Sequence, residues 1–398
     1  MTLLYCCPTP AYNPAITHDD RQLTMKIFSS SFGEYTLDRY PKTQDVNLQA
    51  WDAGDHYLLN HLADIDSLGR VLIINDTFGA LTTALYQHDI TVWSDSKLAE
   101  LSYQKNYRLN GLPENYSFVP STETPKGLFD TVIIKIPGTN RYLDDILLQL
   151  TALVKPDSRV IGAGMAKYWT KKWPQYFADR LGHSECSLTW KKARLILSNT
   201  DALPVKQAAV KTSSYRAEPL EMTIGKLSNV YGQDYLDVGA RVLIAALPDF
   251  NGRQTLADLG CGSGELGLCA LSKNSTINVE FIDESYQAVA SAKANVMTNL
   301  PGAIDRASFT CSDGLIDKDK NSYDVVLCNP PFHQQQTIGD HIAWNMMHQA
   351  RNSLKPGGEL WLVGNRHLNY NNKLQRLFGN CDQVGGSDKF VVFKSVKT

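Results

Sequence analysis

The stretch QTLADLGCGSGELGLCAL (254–271) decides the fold of this chain. It passes from an apolar strand pattern through a glycine-rich turn into a helical pattern. Residues 70–85, RVLIINDTFGALTTAL, repeat the same order of patterns. A repeat of this length is traced before any single motif, because it decides how many similar domains the chain contains.

Three more pairs of segments follow in the same order and at nearly constant separation. They are VWSDSKLAELSYQKNYRLNG (92–111) with EFIDESYQAVASAKANVMTN (280–299), LFDTVIIKIPG (128–138) with SYDVVLCNPPF (322–332), and LVKPDSRVIGAG (153–164) with SLKPGGELWLVG (353–364). Each half alternates strand, helix, strand, helix, strand, which predicts a doubly wound, mostly parallel sheet. We therefore predict an α/β fold with two tandem Rossmann-like domains.

The repeat and the composition also suggest domain boundaries. Residues 1–30 lack hydrophobic periodicity and a signal-peptide pattern, so we expect a disordered extension in which Met25 is a candidate second start of translation. We expect the first domain at 31–204, a linker at 205–225 and the second domain at 226–398.

The bulk composition excludes several classes of protein. Hydrophobic residues make up 43% and charged residues 20% of the chain, as in globular proteins. No apolar run approaches the ~18 residues that a membrane span needs. The eight cysteines form no C-x-x-C pair and have no suitably spaced histidine, so we expect neither a metal site nor a disulfide framework. Reduced thiols favour a cytoplasmic location.

The charge is unevenly distributed. The net charge is −2, yet residues 155–216 carry 12 basic and 4 acidic residues. The aromatic residues interleaved there are Trp169, Trp173, Tyr176, Trp190 and Tyr215. This pattern fits a surface for phosphates and unstacked bases, and it fits equally a solvated face above core aromatics. The candidate phosphate contacts are Lys135, Lys171, Lys172, Lys191, Lys192, Arg194 and Arg366.

A cofactor loop is indicated by Asp258 followed by Gly260, Gly262 and Gly264. Glycines allow a tight turn and close approach to a ligand, and the helix behind them favours a carboxylate at its N-terminus. The spacing differs from the Gly-x-Gly-x-x-Gly of dinucleotide sites, although an oxidoreductase remains an alternative. The loop is similar to that of methyltransferases, which implies that Asp258 helps hold the methionine end of S-adenosylmethionine.

Two more acids follow later strands of the second half. Asp283 ends VEFID, about 20 residues past the loop, where a carboxylate accepts hydrogen bonds from ribose hydroxyls. Asp313 ends FTCSD, and the similarity to methyltransferases implies that it accepts the adenine amino group. Each acid also fits a turn or a helix cap.

The motif Asn329-Pro330-Pro331-Phe332 follows the apolar strand DVVLC. Here the chain resembles methyltransferases of planar exocyclic nitrogens. The Asn329 side-chain oxygen and the Pro330 carbonyl would accept the hydrogens of the target amine, the two prolines would stiffen the loop, and Phe332 would stack on an extruded base. The alternative is a tight Asn-Pro turn without a catalytic role.

The first half lacks these chemical groups. Ile73, Asn75 and Thr77 occupy the positions of Asp258, Gly260 and Gly262, and residues 135–137 read Lys-Ile-Pro in place of Asn-Pro-Pro. We therefore expect the first domain to be a degenerate copy that positions RNA.

Several longer phrases resemble the RlmG/RsmC family of ribosomal RNA guanine-N2 methyltransferases over roughly residues 30–398. They are TLDRYPKTQDVNLQAWDAGDHYLL (36–59), WKKARLILSN (190–199), DLGCGSGELGL, NPPFHQQ, AWNMMHQARNSLKPGGELWLVGNRHLNY and LFGNC with KFVVFKSVK. The wording of NPPFHQQ and NRHLNY is closer to the large-subunit branch. The resemblance implies S-adenosylmethionine as cofactor, 23S ribosomal RNA as substrate and a cytoplasmic location.

Other functions remain open at this point. The same site would suit guanine N2 of 16S ribosomal RNA, adenine N6, cytosine N4 or a glutamine amide in a protein. A non-catalytic RNA-binding factor would fit the first half but not the second. Because the two halves together resemble a dimer within one chain, we expect a monomer without membrane or metal partners.

Overall fold

The computed structural model describes residues 26–398 except 43, 44, 46, 202, 204–212, 233 and 332–335, and gives only the backbone of 336–340. Most of the predicted extension and much of the predicted linker lie outside the described residues. Within those two ranges, residues 26–30 and 213–217 form strands. Each domain therefore starts with an ordered hairpin earlier than the sequence boundaries suggested.

The first domain consists of nine strands and five α-helices in its described part. The strands are β1 (Lys26–Ser30), β2 (Gly33–Leu37), β3 (Arg70–Ile74), β4 (Asp89–Ser94), β5 (Ser117–Pro120), β6 (Phe129–Lys135), β7 (Val154–Met165), β8 (Ser184–Cys186) and β9 (Ala193–Asn199). The helices are α1 (Ala53–Leu62), α2 (Ala80–Ala84), α3 (Lys97–Leu109), α4 (Asn140–Leu150) and α5 (Lys172–Leu181).

The second domain repeats this order of elements. Its strands are β10 (Ser213–Ala217), β11 (Met222–Lys226), β12 (Thr255–Leu259), β13 (Asn278–Asp283), β14 (Ala307–Cys311), β15 (Tyr323–Cys328), β16 (Leu354–Asn365), β17 (Asp382–Gly386) and β18 (Phe390–Val396). Its helices are α6 (Val238–Ala246), α7 (Glu265–Lys273), α8 (Tyr286–Asn299), α9 (Gln336–Ser353) and α10 (Tyr370–Phe378).

The two main sheets have the same topology. Their strand orders are β5-β4-β3-β6-β7-β9-β8 and β14-β13-β12-β15-β16-β18-β17. The first five strands of each order are parallel, and the last two pair antiparallel. The predicted fold of two doubly wound, mostly parallel sheets is confirmed.

Apolar side chains point alternately to the two faces along the central strands, which explains why helices cover both faces of each sheet. Val71 and Ile73 of β3 enter one buried cluster, and Leu72 and Ile74 enter the cluster on the opposite face. Successive side chains of a strand point to opposite faces, so a fully apolar strand needs cover on both sides. No helix in the described part of the chain is long and apolar enough to cross a membrane.

Paired asparagines show how closely the halves correspond. Asn106 of α3 and Asn110, the C-cap of α3, exchange hydrogen bonds with the backbone at Asp38 and Thr36 beside the first hairpin. In the second domain, Asn295 and Asn299 of α8 bind Gly225 and Thr223 of β11 in the same way. Each helix therefore fixes a hairpin at the start of its domain.

The domains meet through reciprocal contacts after β4 and β13. Ser96 donates to Glu284 Oε2 at 2.6 Å, and Ser285 donates to Asp95 Oδ2 at 2.7 Å. The backbone contacts are reciprocal too, since Lys97 N–H donates to the Glu284 carbonyl and Tyr286 N–H to the Asp95 carbonyl. The interface thus lies at the carboxyl edge of both sheets.

Asp95 is the most densely bonded acid of this interface. It is buried, and its carboxylate accepts hydrogen bonds from Ser121, Asn229, Ser285 and the Gln287 N–H. Burial raises its pKa, while the four donors oppose that rise. Three of the four donors belong to the second domain, so this acid joins the two domains.

We expect Asp95→Ala to lower the free energy of unfolding by about 3 kcal/mol, because it leaves buried donors without an acceptor. Urea denaturation followed by circular dichroism measures this change. The matched control is Asp89→Ala, which removes an exposed partner of Arg70 and should cost less than about 1 kcal/mol. Equal losses in both variants would contradict the role of Asp95.

Candidate active site

The glycine loop connects β12 to α7 in the second domain. Gly260, Gly262 and Gly264 have φ angles of +73°, +54° and +88°, a region that favours glycine. A Cβ on Gly264 would approach Ala292 and Phe281 at 3.0–3.1 Å, so this glycine also allows close packing. A Cβ on Gly262 would meet nothing within 4 Å, so the backbone here faces open space. That space is available to a ligand.

Asp258 lies fully buried beneath the loop, near the end of β12. Its Oδ2 accepts the Gly267 N–H at 2.8 Å, which ties the strand to the first turns of α7. Its Oδ1 has no partner among the described residues. Burial raises the pKa of this carboxyl, and the Gly267 bond only partly opposes the rise. An orphaned acceptor at this place is what the amino end of a methionine moiety could satisfy.

Asp283 ends β13 beside the glycine loop. Its Oδ2 accepts the Gly262 N–H at 2.9 Å and its Oδ1 accepts the Ser285 N–H at 3.0 Å. Burial raises its pKa, and these two backbone donors act against that rise. Each carboxylate oxygen retains a second lone pair, so the fixed acid can still accept ribose hydroxyls.

Asp313 lies two residues beyond the end of β14. Its Oδ2 accepts a hydrogen bond from the Tyr40 hydroxyl of the first domain at 2.8 Å. Its backbone carbonyl accepts a hydrogen bond from Gln349 of α9 at 3.3 Å. The structure thus places all three sequence-predicted acids at the carboxyl edge of one sheet, in the order in which its strands β12, β13 and β14 lie.

Asn329 follows β15 and has a fixed amide. Its Nδ2 donates to Asp237 Oδ2 at 3.0 Å, while its Oδ1 is buried and has no partner in the described part of the chain. The bond to Asp237 therefore leaves the amide oxygen free to accept. Pro330 is buried and Pro331 exposed. Phe332 lies outside the described residues.

Asp237 was not among the predicted site residues. It is the N-cap of α6, and the oxygen that receives Asn329 also accepts the Ala240 N–H at 2.9 Å. An aspartate before the helical pattern VGARVLIAA signals a cap, and nothing local signals the second bond. The contact bridges 92 residues of sequence.

The first domain has an ion group where the second has this amide. Lys135, at the position of Asn329, binds Asp52 at 2.8 Å and Asp55 at 2.7 Å, and Asp52 is the N-cap of α1 as Asp237 is of α6. Burial lowers the pKa of Lys135, but the two carboxylates outweigh it and raise the pKa. Because only 16% of the Lys135 side chain is exposed and its ammonium is doubly paired, we remove it from the candidate phosphate contacts.

The other basic candidates fall into two groups. Lys171, Lys172, Lys191 and Lys192 are exposed, and they belong to the two segments that follow β7 and precede β9. Ala166 N–H donates to the Lys192 carbonyl at 2.7 Å, which joins the two segments. These four lysines form what we call the lysine face.

Arg194 and Arg366 are tied to their own domains. The Arg194 guanidinium donates to the Ser187 carbonyl and lies over the Trp169 ring, and Arg366 donates to the Ser387 carbonyl at 2.8 Å. Arg366 is nevertheless exposed at the carboxyl edge of the second sheet. It therefore stays a candidate, whereas the contacts of Arg194 are those of a structural residue.

Two of the predicted aromatic residues pack against the core, Trp173 fully buried and Tyr215 partly buried. Trp173 is buried in the core beneath Gly164 and donates to Asn140. Tyr215 belongs to β10 and donates to Glu265, the first residue of α7, at 2.6 Å. Some of the aromatic residues in this stretch therefore belong to the core, because composition does not show which face a ring occupies.

The fold and these groups define a class I methyltransferase. Residues 221–394 match the family model described as methyltransferase small domain. Residues 25–202 match the model described as RLMG N-terminal domain. The two models together confirm the predicted resemblance to the RlmG/RsmC family.

A solved structure shares the fold of both domains. The structure titled T. thermophilus 16S rRNA N2 G1207 methyltransferase (RsmC) in complex with AdoMet and guanosine is 18% identical, with a TM-score of 0.75, and the match covers 94% of this chain and 98% of that chain. An O-methyltransferase family protein from Burkholderia thailandensis is 14% identical over 39% of this chain and 54% of its own, with a TM-score of 0.33. The first match thus extends over both domains.

We expect Asp237→Ser to lower kcat about tenfold, the value of one lost hydrogen bond, because serine still caps α6 but is too short to hold Asn329. Steady-state methylation kinetics give kcat, and thermal melting tests the cap. Asp237→Asn, which keeps a side-chain oxygen of the same length, is the comparison and should lose less. A fall in melting temperature without a fall in kcat would show that Asp237 acts as a cap alone.

Proposed function

We propose that the second domain transfers a methyl group from S-adenosylmethionine to N2 of a guanine in ribosomal RNA, with 23S ribosomal RNA as the favoured substrate. The observation that carries this proposal is the buried, unpartnered Oδ1 of Asn329, held in place by Asp237. An oriented acceptor at the end of β15 is what a planar amine needs.

The chemistry follows from the electronic structure of the amine. The lone pair of a guanine amino group is delocalised into the ring, so the nitrogen is a weak nucleophile. An acceptor fixed on one of its hydrogens favours the geometry in which the lone pair leaves the ring plane. Asn329 Oδ1 would take this role together with the Pro330 carbonyl, and a preorganised acceptor costs no rearrangement during the reaction.

The residues around the glycine loop fit S-adenosylmethionine, which would supply an electrophilic methyl group on its sulfonium. Asp258 has an unpartnered oxygen for the methionine end, and Asp283 is fixed by two backbone donors for the ribose. Asp313 is available for the adenine. The loop backbone at Gly262 faces open space, so a ligand can lie against it.

The choice of ribosomal RNA rests on the family and on the lysine face. The T. thermophilus relative is named as a guanine-N2 methyltransferase of 16S rRNA. The first domain matches the RLMG model, and the NPPFHQQ and NRHLNY phrases favour the large-subunit branch, so we propose 23S over 16S. The domain boundaries, the monomeric state and the cytoplasmic location stay predictions.

The first domain would act as a positioning surface. Its own site is closed by the ion group of Lys135, Asp52 and Asp55, while Lys171, Lys172, Lys191 and Lys192 remain exposed. Exposed lysines gain binding energy from a phosphate backbone by releasing its counterions. The lysine face lies at the carboxyl edge of the first sheet, the edge through which the domains also meet.

We expect the purified protein, incubated with radiolabelled S-adenosylmethionine and unmethylated 23S rRNA, to form N2-methylguanosine. Asn329→Ala should lower kcat by about 100-fold or more, because the oriented acceptor is lost. Nucleoside analysis after digestion identifies the product. The exposed Asn372→Ala is the control and should keep wild-type activity.

The product and the substrate decide between the alternatives. N2-methylguanosine in 16S rRNA alone would move the assignment to the small-subunit branch. Methylated adenine, cytosine or a protein glutamine would refute guanine as the target while keeping the planar-amine site. Full activity of Asn329→Ala would refute the proposed role of the motif.

We expect Lys191→Ala with Lys192→Ala to weaken RNA binding and to flatten its salt dependence by about one to two units of the log–log slope. Fluorescence anisotropy at several salt concentrations measures the slope. The control Lys293→Ala with Lys320→Ala removes the same charge from exposed positions outside the lysine face. Identical slopes in the two double variants would remove the lysine face from the RNA surface.

A further inference from the structure

A short segment of the first domain, residues 38–42, reaches the predicted adenine end of the second domain's site. The Tyr40 hydroxyl donates to Asp313 Oδ2 at 2.8 Å. The Lys42 carbonyl lies 3.1 Å from His341 Nε2 of α9, the helix that follows the Asn329 motif. One segment therefore contacts two elements that border the site.

This segment is firmly held by its own domain. Asp38 is bound through its backbone to Asn106 and through its side chain to Lys105 at 2.7 Å. The Arg39 guanidinium lies 4.1 Å from the centre of the Phe78 ring. A hydroxyl carried on such an anchored segment has a defined position, as a group that orients another one requires.

The bond to Tyr40 has consequences for the Asp313 carboxylate. It fixes one oxygen, and the structure gives Oδ1 no hydrogen-bond partner within the described residues. Burial raises the pKa of Asp313, whereas the bond from Tyr40 lowers it and so favours the ionised form. The free oxygen of a fixed, ionised carboxylate is a strong acceptor for an amino group.

The repeat argues that this bond serves the site and not just the domain interface. The contacts of Ser96 with Glu284 and of Ser285 with Asp95 are reciprocal, as expected for contacts between two similar domains. By the register of the hairpins and of the loops after β5 and β14, the positions reciprocal to Tyr40 and Asp313 carry Leu227 and Thr122. A leucine side chain cannot donate such a hydrogen bond. The bond is therefore present beside the cofactor acids of the second domain and has no counterpart at the corresponding positions, Leu227 and Thr122.

We propose that Tyr40 is a positioning residue supplied by the first domain to the cofactor site of the second, where it orients Asp313 toward the adenine amino group of S-adenosylmethionine. This inference rests on the proposed function. It gives the degenerate domain a part in cofactor recognition in addition to RNA positioning. Tyr40 acts through Asp313 and not on the methyl group or the target amine. Its effect is therefore on the affinity for the cofactor and on the selectivity for adenine at that end of the site.

The test compares two ligands that differ at the adenine amino group. S-adenosylhomocysteine carries this donor, and S-inosylhomocysteine carries a carbonyl oxygen in its place. A site built to accept a hydrogen bond rejects the analogue that lacks the donor. Isothermal titration calorimetry on the full-length protein should show that the wild type prefers the adenosyl ligand by about tenfold or more.

Tyr40→Phe should lower the affinity for S-adenosylhomocysteine about fivefold to tenfold and change that for S-inosylhomocysteine less than about twofold. In methylation assays, KM for S-adenosylmethionine should rise and kcat should stay unchanged. The matched control is Tyr286→Phe, which removes another tyrosine–carboxylate bond between the domains, to Glu100 at 2.7 Å. It should preserve the selectivity between the two ligands.

Four results would overturn the inference, three of them from the variants and one from the wild type. Equal loss for both ligands in Tyr40→Phe would show a structural role, and the same loss of selectivity in Tyr286→Phe would show an effect of the interface as a whole. Unchanged affinity for both ligands in Tyr40→Phe would show that Asp313 is oriented without the hydroxyl. Absence of binding by the wild type would instead refute the cofactor assignment itself, and the inference with it.

Discussion

Ser96 and Ser285 each form hydrogen bonds both within their own domain and to the opposite domain. As N-caps, they accept the Ala99 and Ala288 N–H groups of α3 and α8. As donors, they bind Glu284 and Asp95 across the interface. Each serine hydroxyl is thereby used in both directions, so the start of each helix is coupled to an acid of the opposite domain.

The position of this contact determines what the first domain can contribute to the site. Because Glu284 follows Asp283 directly, the interface lies one residue from the predicted ribose acid. Burial raises the pKa of Glu284 to about 8, so this carboxyl is largely protonated at neutral pH and avoids a second charge next to Asp283. With the two sheets joined at these edges, residues 38–42 come to lie against Asp313 and α9.

The sequence predicted the fold well because the repeat shows as matching residues at matching spacing in the two halves of the chain. Asn106 and Asn110 correspond to Asn295 and Asn299. Asp130 corresponds to Asp324, and each of these two aspartates forms an ion pair with a lysine near the start of the strand that follows. The glycine loop and Asp283 were also predicted from local spacing, whereas the role of Asp313 was predicted from the resemblance to methyltransferases. Asp237 and Tyr40 were missed because their bonds join residues 92 and 273 positions apart, and such contacts leave no local pattern.

Charge and aromatic content were weaker guides than spacing. Lys135 was predicted to contact RNA phosphates, yet it neutralises two carboxylates. Trp173 fitted an RNA surface and a core position equally well, and it fills the core. Composition counts residues without their burial, and burial depends on the tertiary fold. The exposed lysines of the lysine face were predicted to contact phosphates together with Lys135, and only the fold separates them from it.

The differences between the two domains distinguish residues that the fold requires from residues that the site requires. In the second domain, Asp258 Oδ1 and Asn329 Oδ1 are buried without partners, each at a cost of about 1–3 kcal/mol. In the first, the same positions carry Ile73, which is apolar, and Lys135, which is paired twice. In the first domain, where no ligand is expected, neither position leaves a buried acceptor without a partner. In the second domain, where a ligand is expected, the same scaffold keeps both acceptors without partners. Buried atoms without partners also occur in the first domain, at Thr83, Tyr103 and Thr170. The difference between corresponding positions, and not the lack of a partner alone, therefore marks the site.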